Sequence, residues 1–247
     1  KYIEGNVVNK EDMRKAFDFN PDVIIHLAAE TGTGQSMHEI SRYVETNVLG
    51  TSNLLELLNN TEHNVKKLIL SSSRAVYGDH SHSKELLPKS IYGLTKLNQE
   101  QLMKISCSVP YTILRYQNVY GPGQSLNNPY TGIISIFSEK FKKGIDVDIW
   151  DNGLPTRDFI YVEDVVEATL HACDNNITDF KTYDVGTGKS VKILDVARKL
   201  RDVINPACKV NITDYHRPGD IINAKGCIEK INSETNWLPC WSINDGI

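Results

Sequence analysis

Short apolar runs alternate with longer amphipathic segments along most of this chain. The apolar runs predict buried strands at residues 23–29, 68–70, 111–116, 147–150 and 182–185, and residues 1–7 have the pattern of a further short strand. The amphipathic segments predict helices from a cap at Asn9 to Phe17 and over residues 40–57, 91–102, 132–143, 162–174 and 193–203. Because nearly continuous apolar strands alternate with helices, the pattern favours an α/β fold whose parallel sheet is covered on both faces.

The stretch from residue 67 to 96 joins one such strand to one such helix. Hydroxyl side chains occupy residues 71–73 at the strand end, and Tyr92 and Lys96 lie near the start of the helix. Their i, i+4 spacing places both side chains on one helix face, about 5–6 Å apart at Cβ. Because a nearby cation favours the phenolate, we expect Lys96 to lower the pKa of Tyr92. Such a pair can take the proton of a substrate alcohol while hydride leaves the same carbon, although this spacing is more often a solvated helix face.

Composition narrows the class of protein. With 247 residues and 40% apolar side chains, the chain can bury a core as one large domain or two small ones. The net charge of −4 argues against general nucleic-acid binding, which favours a basic surface. No run approaches the roughly 18 apolar residues of a membrane span, and no charged-then-apolar leader opens the chain. We therefore expect neither a nucleic-acid nor a membrane partner.

The cysteines indicate the redox environment. They are scattered, odd in number and without C-x-x-C spacing, at Cys107, Cys173, Cys208, Cys227 and Cys240. This distribution predicts free thiols in a reducing cytoplasm and argues against a metal site. His80 and His82 lie in a polar loop, where two histidines alone are usually exposed to solvent.

Four sequence motifs resemble one enzyme family. They are S-S-S-R-A-V-Y-G at 71–78 with the Tyr-Lys pair, L-R-Y-Q-N-V-Y-G-P-G at 114–123, R-D-F-I-Y-V-E-D at 157–164 and R-P-G-D at 217–220. Together they resemble the extended short-chain dehydrogenase/reductase family, in particular its NAD-dependent nucleotide-sugar epimerases and dehydratases. The segments around Glu30 and Ser73 are similar to the deoxyhexose branch of that group. The resemblance implies NAD as cofactor, a nucleoside-diphosphate sugar as substrate, and a homodimer.

The same resemblance implies a domain organisation. We expect a Rossmann-like, doubly wound parallel sheet followed by a smaller C-terminal α/β substrate domain. The NAD-binding domain would comprise residues 1–117, with parts of about 157–185 returning to it, and residues 118–247 would form most of the substrate domain.

The resemblance also implies the roles of individual residues. The catalytic set is Ser73, Tyr92 and Lys96. The cofactor contacts are Asn6, Val7, Leu27, Ala28, Ala29, Thr31, Asn47, Ser71, Tyr92, Lys96 and Tyr116. The substrate contacts are Thr33, Ser73, Asn118, Ile149, Trp150, Arg157 and Arg217, and the two arginines would hold the diphosphate. Three of these allow a structural alternative: Asn47 as a satisfied buried amide, Trp150 as a core aromatic, and Arg157 in a salt bridge to Asp158 or Asp164.

A dinucleotide-binding sheet normally begins with a glycine-rich turn. Gly32-Thr33-Gly34 follows a strand, but Met37 occupies the position of the third glycine, so this segment does not fit that turn. We therefore expect the sequence to lack about 50–60 residues, or two strand–helix units of roughly 30 residues each.

The residues after Ser73 distinguish the reactions of the family. Its dehydratases place Asp-Glu directly after the central hydroxyl residue, and its decarboxylases place a Glu second. Here these positions are Arg74 and Ala75, which cannot supply a proton. We therefore expect a nucleotide-sugar epimerase, acting at C4 through a transient ketosugar. The alternatives are a 4,6-dehydratase or other nucleotide-sugar oxidoreductase and, from another class, a non-catalytic nucleotide-sugar or NAD-sensing protein.

Overall fold

The computed structural model describes residues 2–79, 85–126, 132–216 and 220–247. Its helices are α1 (Lys10–Phe17), α2 (Thr33–Ser36), α3 (Ile40–Tyr43), α4 (Gly50–Asn60), α5 (Ile91–Ser106), α6 (Ile133–Lys142), α7 (Val162–Asp174), α8 (Ile193–Ile204), α9 (Glu229–Thr235) and α10 (Ile243–Gly246), with a π-helical segment at Val44–Leu49. Its strands are β1 (Val23–His26), β2 (Lys67–Ser73), β3 (Tyr111–Tyr116), β4 (Asn118–Tyr120), β5 (Val147–Ile149), β6 (Thr156–Arg157), β7 (Phe159–Tyr161), β8 (Lys181–Val185), β9 (Val191–Lys192) and β10 (Val210–Ile212). Short 3₁₀ turns cover Arg74–Tyr77, Asp151–Gly153 and Asn176–Thr178.

The largest sheet is parallel and has the strand order β1-β2-β3-β8. In its register, Ile69 of β2 lies opposite Ile25 of β1 and Thr112 of β3. The predicted parallel α/β fold is therefore confirmed. Strand β8 pairs with β3, so a segment within residues 157–185 lies in the same sheet as the N-terminal strands.

Side-chain alternation along β2 divides the core into two layers. Leu68 and Leu70 pack with residues of α4 and α5 on one face of the sheet. Ile69 packs on the other face with residues of α7, α9 and β8. Because successive side chains of a strand point to opposite faces, the sheet is covered by helices on both sides.

A separate apolar cluster lies in the C-terminal half of the chain. Phe137 and Phe141 of α6 pack against Val196 and Leu200 of α8. Strand β5 pairs in parallel with β10 under these helices, while β4 pairs with β7 and β6 pairs with β9. This smaller α/β unit flanks the carboxyl ends of β2 and β3, where the candidate site lies.

Three local predictions are wrong. Residues 2–9 form no strand; Asn53 of α4 instead donates hydrogen bonds to the carbonyl oxygens of Val7 (3.1 Å) and Val8 (2.9 Å). Strand β1 ends at His26 and is an edge strand, so its apolar side chains are not fully buried. The helix predicted over residues 40–57 is interrupted by the π-helical segment.

Two side-chain hydroxyls bond to carbonyl oxygens of this segment. The hydroxyl of Thr51 donates to the Asn47 carbonyl oxygen at 2.7 Å, and the hydroxyl of Ser52 donates to the Val48 carbonyl oxygen at 2.9 Å. Thr169 makes the same kind of bond to Val165 within the regular helix α7, so these bonds alone do not account for the π-helical segment.

Candidate active site

The carboxyl end of β2 carries the hydroxyl cluster. Ser72 lies on the same face of the strand as Leu70, and its hydroxyl donates to the buried Glu100 carboxylate at 2.6 Å. Ser71 and Ser73 point to the opposite face. Ser73 Oγ accepts the backbone N–H of Ala75 at 3.2 Å, so its own hydrogen remains available to another acceptor. The alternation thus separates the Ser72 hydroxyl, which has a structural partner, from two hydroxyls that face the site.

Helix α5 positions Tyr92 and Lys96 against that strand end. Ser90 caps the helix by accepting the N–H of Gly93 at 3.1 Å. Gly93 also allows a close approach, because a Cβ at this position would lie 2.5 Å from the Ala75 carbonyl oxygen. The first turn of α5 can therefore pack directly on the turn that follows Ser73, which brings Tyr92 to Ser73.

The charges at this site differ from the sequence prediction. The Lys96 ammonium donates to the Ser71 carbonyl oxygen at 2.8 Å. Burial raises the pKa of the Tyr92 phenol, while a hydrogen bond with Ser73 opposes that rise. The prediction that Lys96 lowers this pKa is therefore wrong for this structure, because the ammonium bonds to the strand rather than the phenol. Burial lowers the pKa of Lys96 itself to about 8, and Glu100 counteracts that effect.

Two adjoining cavities open at this point. The larger has a volume of about 490 Å³ and is lined, among others, by Thr33, Ser73, Tyr92, Asn118, Ile149, Trp150 and Arg157. The smaller has a volume of about 280 Å³ and is lined, among others, by Thr31, Ser71, Ser73, Tyr92, Tyr116 and Asn118. The structure therefore brings most of the predicted substrate residues to one cavity and several predicted cofactor residues to the other, with Ser73 and Tyr92 between them.

The far end of the larger cavity combines an aromatic pair with a cation. Trp150 follows β5 and lies edge-to-face with Tyr215, with ring centroids 4.9 Å apart. Trp150 remains partly exposed, which disagrees with the alternative of a core aromatic. The Asp158 carboxylate accepts backbone N–H groups of residues 187, 188 and 226, and Asp164 accepts those of residues 240 and 241. Both carboxylates thus bind loop backbone, and Arg157 Nη1 donates to the Thr156 carbonyl oxygen at 2.8 Å.

The contacts of Asn47 are those of a buried amide whose hydrogen bonds are satisfied within the protein, which was the structural alternative for this residue. Its side chain accepts the N–H of Glu30 at 2.7 Å and donates to the Glu30 carbonyl oxygen at 3.2 Å and to Thr95 at 3.0 Å. The residue is completely buried, so an effect of Asn47 on a cofactor would pass through these neighbours.

Several other predicted cofactor residues do not line either cavity. Asn6 and Val7 lie beside α1 and α4, where Asn6 accepts the N–H of Val8 at 3.0 Å. Leu27, Ala28 and Ala29 lie at the carboxyl end of the edge strand β1, and the Leu27 side chain is exposed. Arg217, together with His80 and His82, lies outside the described residues.

Sequence reasoning missed a buried ion pair beneath the site. Arg115 of β3 donates to Glu100 of α5 from both Nε (2.8 Å) and Nη2 (2.6 Å). The sequence could have revealed this pair, because charged residues stand at two positions that the apolar pattern predicts to be buried. Glu100 follows Lys96 by one helical turn, and Arg115 stands in an otherwise apolar strand.

The residues around the smaller cavity fit the nicotinamide end of NAD. Small serine side chains leave space for a flat ring beside Tyr116, and their hydroxyls suit ribose oxygens. The buried Lys96 ammonium lines neither cavity and lies behind Ser71, to whose carbonyl oxygen it donates. The buried Oε1 atom of Gln117, which lines both cavities, has no hydrogen-bond partner among the described residues. Polar groups for an amide-bearing ligand are therefore present.

The part of the chain that the structure describes contains neither a candidate membrane span nor a candidate metal site. No helix there has the length and apolar character needed to cross a membrane. Across residues 2–79, 85–126, 132–216 and 220–247, no three His, Cys, Asp or Glu side chains form a group that could hold a metal ion.

Comparison with known proteins agrees with this geometry. Residues 1–186 match the model of the NAD dependent epimerase/dehydratase family. The chain is 34% identical to dTDP-L-rhamnose 4-epimerase from Burkholderia thailandensis, over 93% of this chain and 74% of the relative. This chain therefore belongs to the NAD-dependent epimerase/dehydratase family.

Two solved structures share its architecture. UDP-glucose 4-epimerase from Thermotoga maritima, solved with UDP-glucose, is 29% identical with a TM-score of 0.90, covering 98% of this chain and 80% of that one. UDP-glucose 4-epimerase from Thermus thermophilus, solved with NAD, is 28% identical with a TM-score of 0.88, covering 99% of this chain and 81% of that one. The relatives named here are thus nucleotide-sugar 4-epimerases, and the predicted Rossmann-type fold is confirmed.

Proposed function

We propose that this chain is an NAD-dependent nucleoside-diphosphate-sugar epimerase that inverts C4 of the sugar. The observation that carries the proposal is the meeting of Ser73, Tyr92 and Lys96 at the end of β2, beside a cavity that extends to Trp150 and Arg157. The 4-epimerase activity named for relatives that align over nearly the whole chain supports it.

Each residue of the catalytic set has a distinct task. Tyr92 accepts the proton of the substrate hydroxyl and later returns it. Ser73 donates a hydrogen bond to the reacting oxygen, since its own lone pair already accepts from Ala75. Burial raises the pKa of the free phenol, and Lys96 does not lower it while its ammonium bonds to the strand, so we infer that the Lys96 charge assists formation of the phenolate once substrate is bound. NAD, when bound at the smaller cavity, would supply the reversible hydride acceptor that this reaction requires.

Binding residues surround this centre. Ser71, Thr31 and Tyr116 hold the cofactor at the smaller cavity, and Thr33 and Asn118 face the sugar and diphosphate in the larger one. Ile149 and Trp150 lie along the base, while Arg157, with Arg217, binds the diphosphate. Local cations of this kind allow a protein of net charge −4 to bind an acidic substrate.

The turn after Ser73 favours epimerisation over elimination. Arg74 and Ala75 occupy the positions where a dehydratase needs its second acid and base, and both are buried in the cavity wall. A direct oxidation and re-reduction needs no such group.

Solvent isotope labelling tests the reaction. The NAD-loaded protein is incubated in D₂O with dTDP-rhamnose or UDP-glucose, and the product is analysed by NMR. We expect the 4-epimer without deuterium on carbon, because the hydride returns to the carbon it left. Deuterium at a sugar carbon, or accumulation of a 4-keto-6-deoxy product, would reject the mechanism.

We also propose a cytoplasmic homodimer that serves carbohydrate biosynthesis. Free thiols in the described residues suit a reducing compartment. Ile40, Val44 and Leu94 expose apolar side chains on α3, the π-helical segment and α5, a surface that a second copy can cover. Light scattering should give twice the monomer mass, and a monomer at micromolar concentration would contradict this state.

A further inference from the structure

A fully buried carboxylate lies directly behind the catalytic set. Glu100 accepts hydrogen bonds from Ser72 Oγ at 2.6 Å and from Arg115 at 2.6 and 2.8 Å, and Lys104 approaches it at 3.5 Å. Its side chain has no exposed surface. It lies one helical turn after Lys96 on α5, and its partner Ser72 adjoins Ser73. One carboxylate therefore contacts both elements that carry the catalytic groups.

The hydrogen bonds continue from Glu100 across the sheet. Arg115 Nη1 donates to the Tyr77 hydroxyl at 2.7 Å, and that hydroxyl donates to Asp184 Oδ1 at 2.7 Å. The other oxygen of Asp184 accepts the backbone N–H of Cys227 at 2.9 Å. The network thus joins α5, β2, β3, β8 and the turn after Ser73, so Glu100 is anchored on several sides.

The surroundings of Lys96 explain why this carboxylate matters. Glu100 of α5 and His26 of β1 interact electrostatically with Lys96, and the Ser71 carbonyl oxygen of β2 accepts its hydrogen bond. Tyr92 lies one helical turn before it on α5. Burial lowers the pKa of His26 to about 4, so its imidazole is neutral at ordinary pH, and the Tyr92 phenol is uncharged. Among these groups Glu100 is the one that carries a negative charge. In a buried setting with a low dielectric, such a charge acts strongly on a cation one turn away.

We propose that Glu100 is a positioning residue, whose buried carboxylate keeps Lys96 protonated and fixes Ser72 so that Ser73 and Tyr92 stay aligned. This rests on the proposed function, since it assigns a second layer to the same reaction. The carboxylate touches neither cavity; it acts through Lys96 and Ser72.

Removal of the negative charge has a defined consequence. In Glu100→Gln the amide still fills the site and can accept one hydrogen bond, but Lys96 becomes a buried cation without a nearby countercharge. Burial already lowers its pKa to about 8, so the pKa should fall further. Lys96 would then be largely neutral at a pH where the wild type is charged.

The primary test measures Lys96 directly. Protein labelled with ¹³C at lysine Cε is titrated by NMR, and the Lys96 signal is assigned by its absence in Lys96→Arg. We expect the titration midpoint in Glu100→Gln to lie at least about one pH unit below that of the wild type. An unchanged midpoint in a folded Glu100→Gln protein would overturn the proposal.

A matched variant separates charge from hydrogen bonding. Ser72→Ala removes one hydrogen bond to Glu100 but retains its charge, so we expect the Lys96 midpoint to stay close to that of the wild type. An equal shift in both variants would mean that packing rather than charge sets the ionisation of Lys96, and would overturn the proposal.

A double variant keeps the test valid if the single variant does not fold. Removing one partner of a buried ion pair leaves an uncompensated charge and is strongly destabilising, whereas removing both charges is often tolerated. Glu100→Gln combined with Arg115→Met removes both charges, and the same downward shift of the Lys96 midpoint is expected there. An unchanged midpoint in the double variant would equally overturn the proposal.

Turnover provides the functional readout. In Glu100→Gln the alkaline limb of the kcat profile should move to lower pH by the amount measured for Lys96, while KM changes little. A lower kcat with the limb in its wild-type place would contradict the role assigned to Glu100. If the protein makes no epimer at all, the proposed function fails, but the NMR midpoint still decides whether Glu100 controls Lys96.

Discussion

The buried histidine at the end of β1 predicts how the stability of this protein depends on pH. The Thr51 hydroxyl donates its hydrogen to the Asn47 carbonyl oxygen at 2.7 Å. The hydroxyl oxygen must therefore accept from Gln99 Nε2 at 2.6 Å and from His26 Nε2 at 2.9 Å. His26 thus carries a proton on Nε2. Burial, with a smaller contribution from the Lys96 charge, lowers its pKa to about 4.

The sign and size of the effect follow from linkage. The imidazole binds protons more weakly in the folded state than in the unfolded chain, where its ordinary pKa is 6.5. Between pH 6.5 and about 4 the unfolded chain therefore binds more protons, and the free energy of unfolding falls as the pH is lowered. The full effect of His26 is about 3 kcal/mol, of which about 2 kcal/mol is lost by pH 5.

Urea unfolding at a series of pH values measures this effect. The wild type is compared with His26→Gln, which retains a donor to Thr51 but does not titrate, and with His38→Gln, which removes an exposed histidine. Between pH 7.5 and 5, the wild type and His38→Gln should lose about 2 kcal/mol more than His26→Gln. Parallel pH dependences for all three proteins would refute the conclusion that His26 is buried in its neutral form.

Two further predictions concern the proposed reaction. Tyr92→Phe should retain the fold, as judged by circular dichroism, but lower kcat by about 10²–10⁴-fold, because it removes the proton acceptor; near-normal turnover would remove Tyr92 from the mechanism. Arg157→Ala should weaken binding of the free nucleoside diphosphate in calorimetry by about 10–150-fold, since a hydrogen bond to a charged group contributes roughly 1.5–3 kcal/mol. Arg157→Lys keeps the charge but not the planar fork, so its affinity for the nucleoside diphosphate should lie between those of the wild type and Arg157→Ala. Unchanged affinity in Arg157→Ala would contradict the diphosphate contact.

The elements with long, regular patterns could be predicted from the sequence. The helix at residues 162–174 has the predicted bounds, and β2 and β3 contain the predicted apolar runs. In these segments the apolar pattern and the buried position agree. An apolar strand of six or seven residues is buried within the sheet, and a helix with one apolar face packs that face against the core. The same reasoning led from the hydroxyl cluster at residues 71–73 to the end of the sheet where the two cavities open.

Features decided by side-chain competition could not be predicted in this way. The π-helical segment at Val44–Leu49 leaves no signal in the apolar spacing of residues 40–57, which fits a regular helix equally well. The ionisation of Tyr92 depends on where the Lys96 ammonium finds its acceptor, and residue spacing fixes only the distance between their Cβ atoms. The spacing rule considers only the attraction between the lysine cation and the phenolate, which would lower the pKa of Tyr92. It omits desolvation, which depends on the whole fold and raises that pKa by a larger amount.

The alternation of β2 makes the three adjacent serines unequal, and this has a consequence for the register of the strand. A shift of one residue would turn the Ser72 hydroxyl away from Glu100 and the Ser73 hydroxyl toward it. Ser73 would then bond to Glu100, and Ser72 would face the cavities. Apolar burial alone opposes such a shift only weakly, because Leu68, Ile69 and Leu70 are all fully buried and could exchange faces with limited loss. The hydrogen bond from Ser72 to a carboxylate that is itself held by Arg115 is directional, so it opposes the shift more specifically. The buried ion pair therefore contributes to the choice of which hydroxyl faces the cavities.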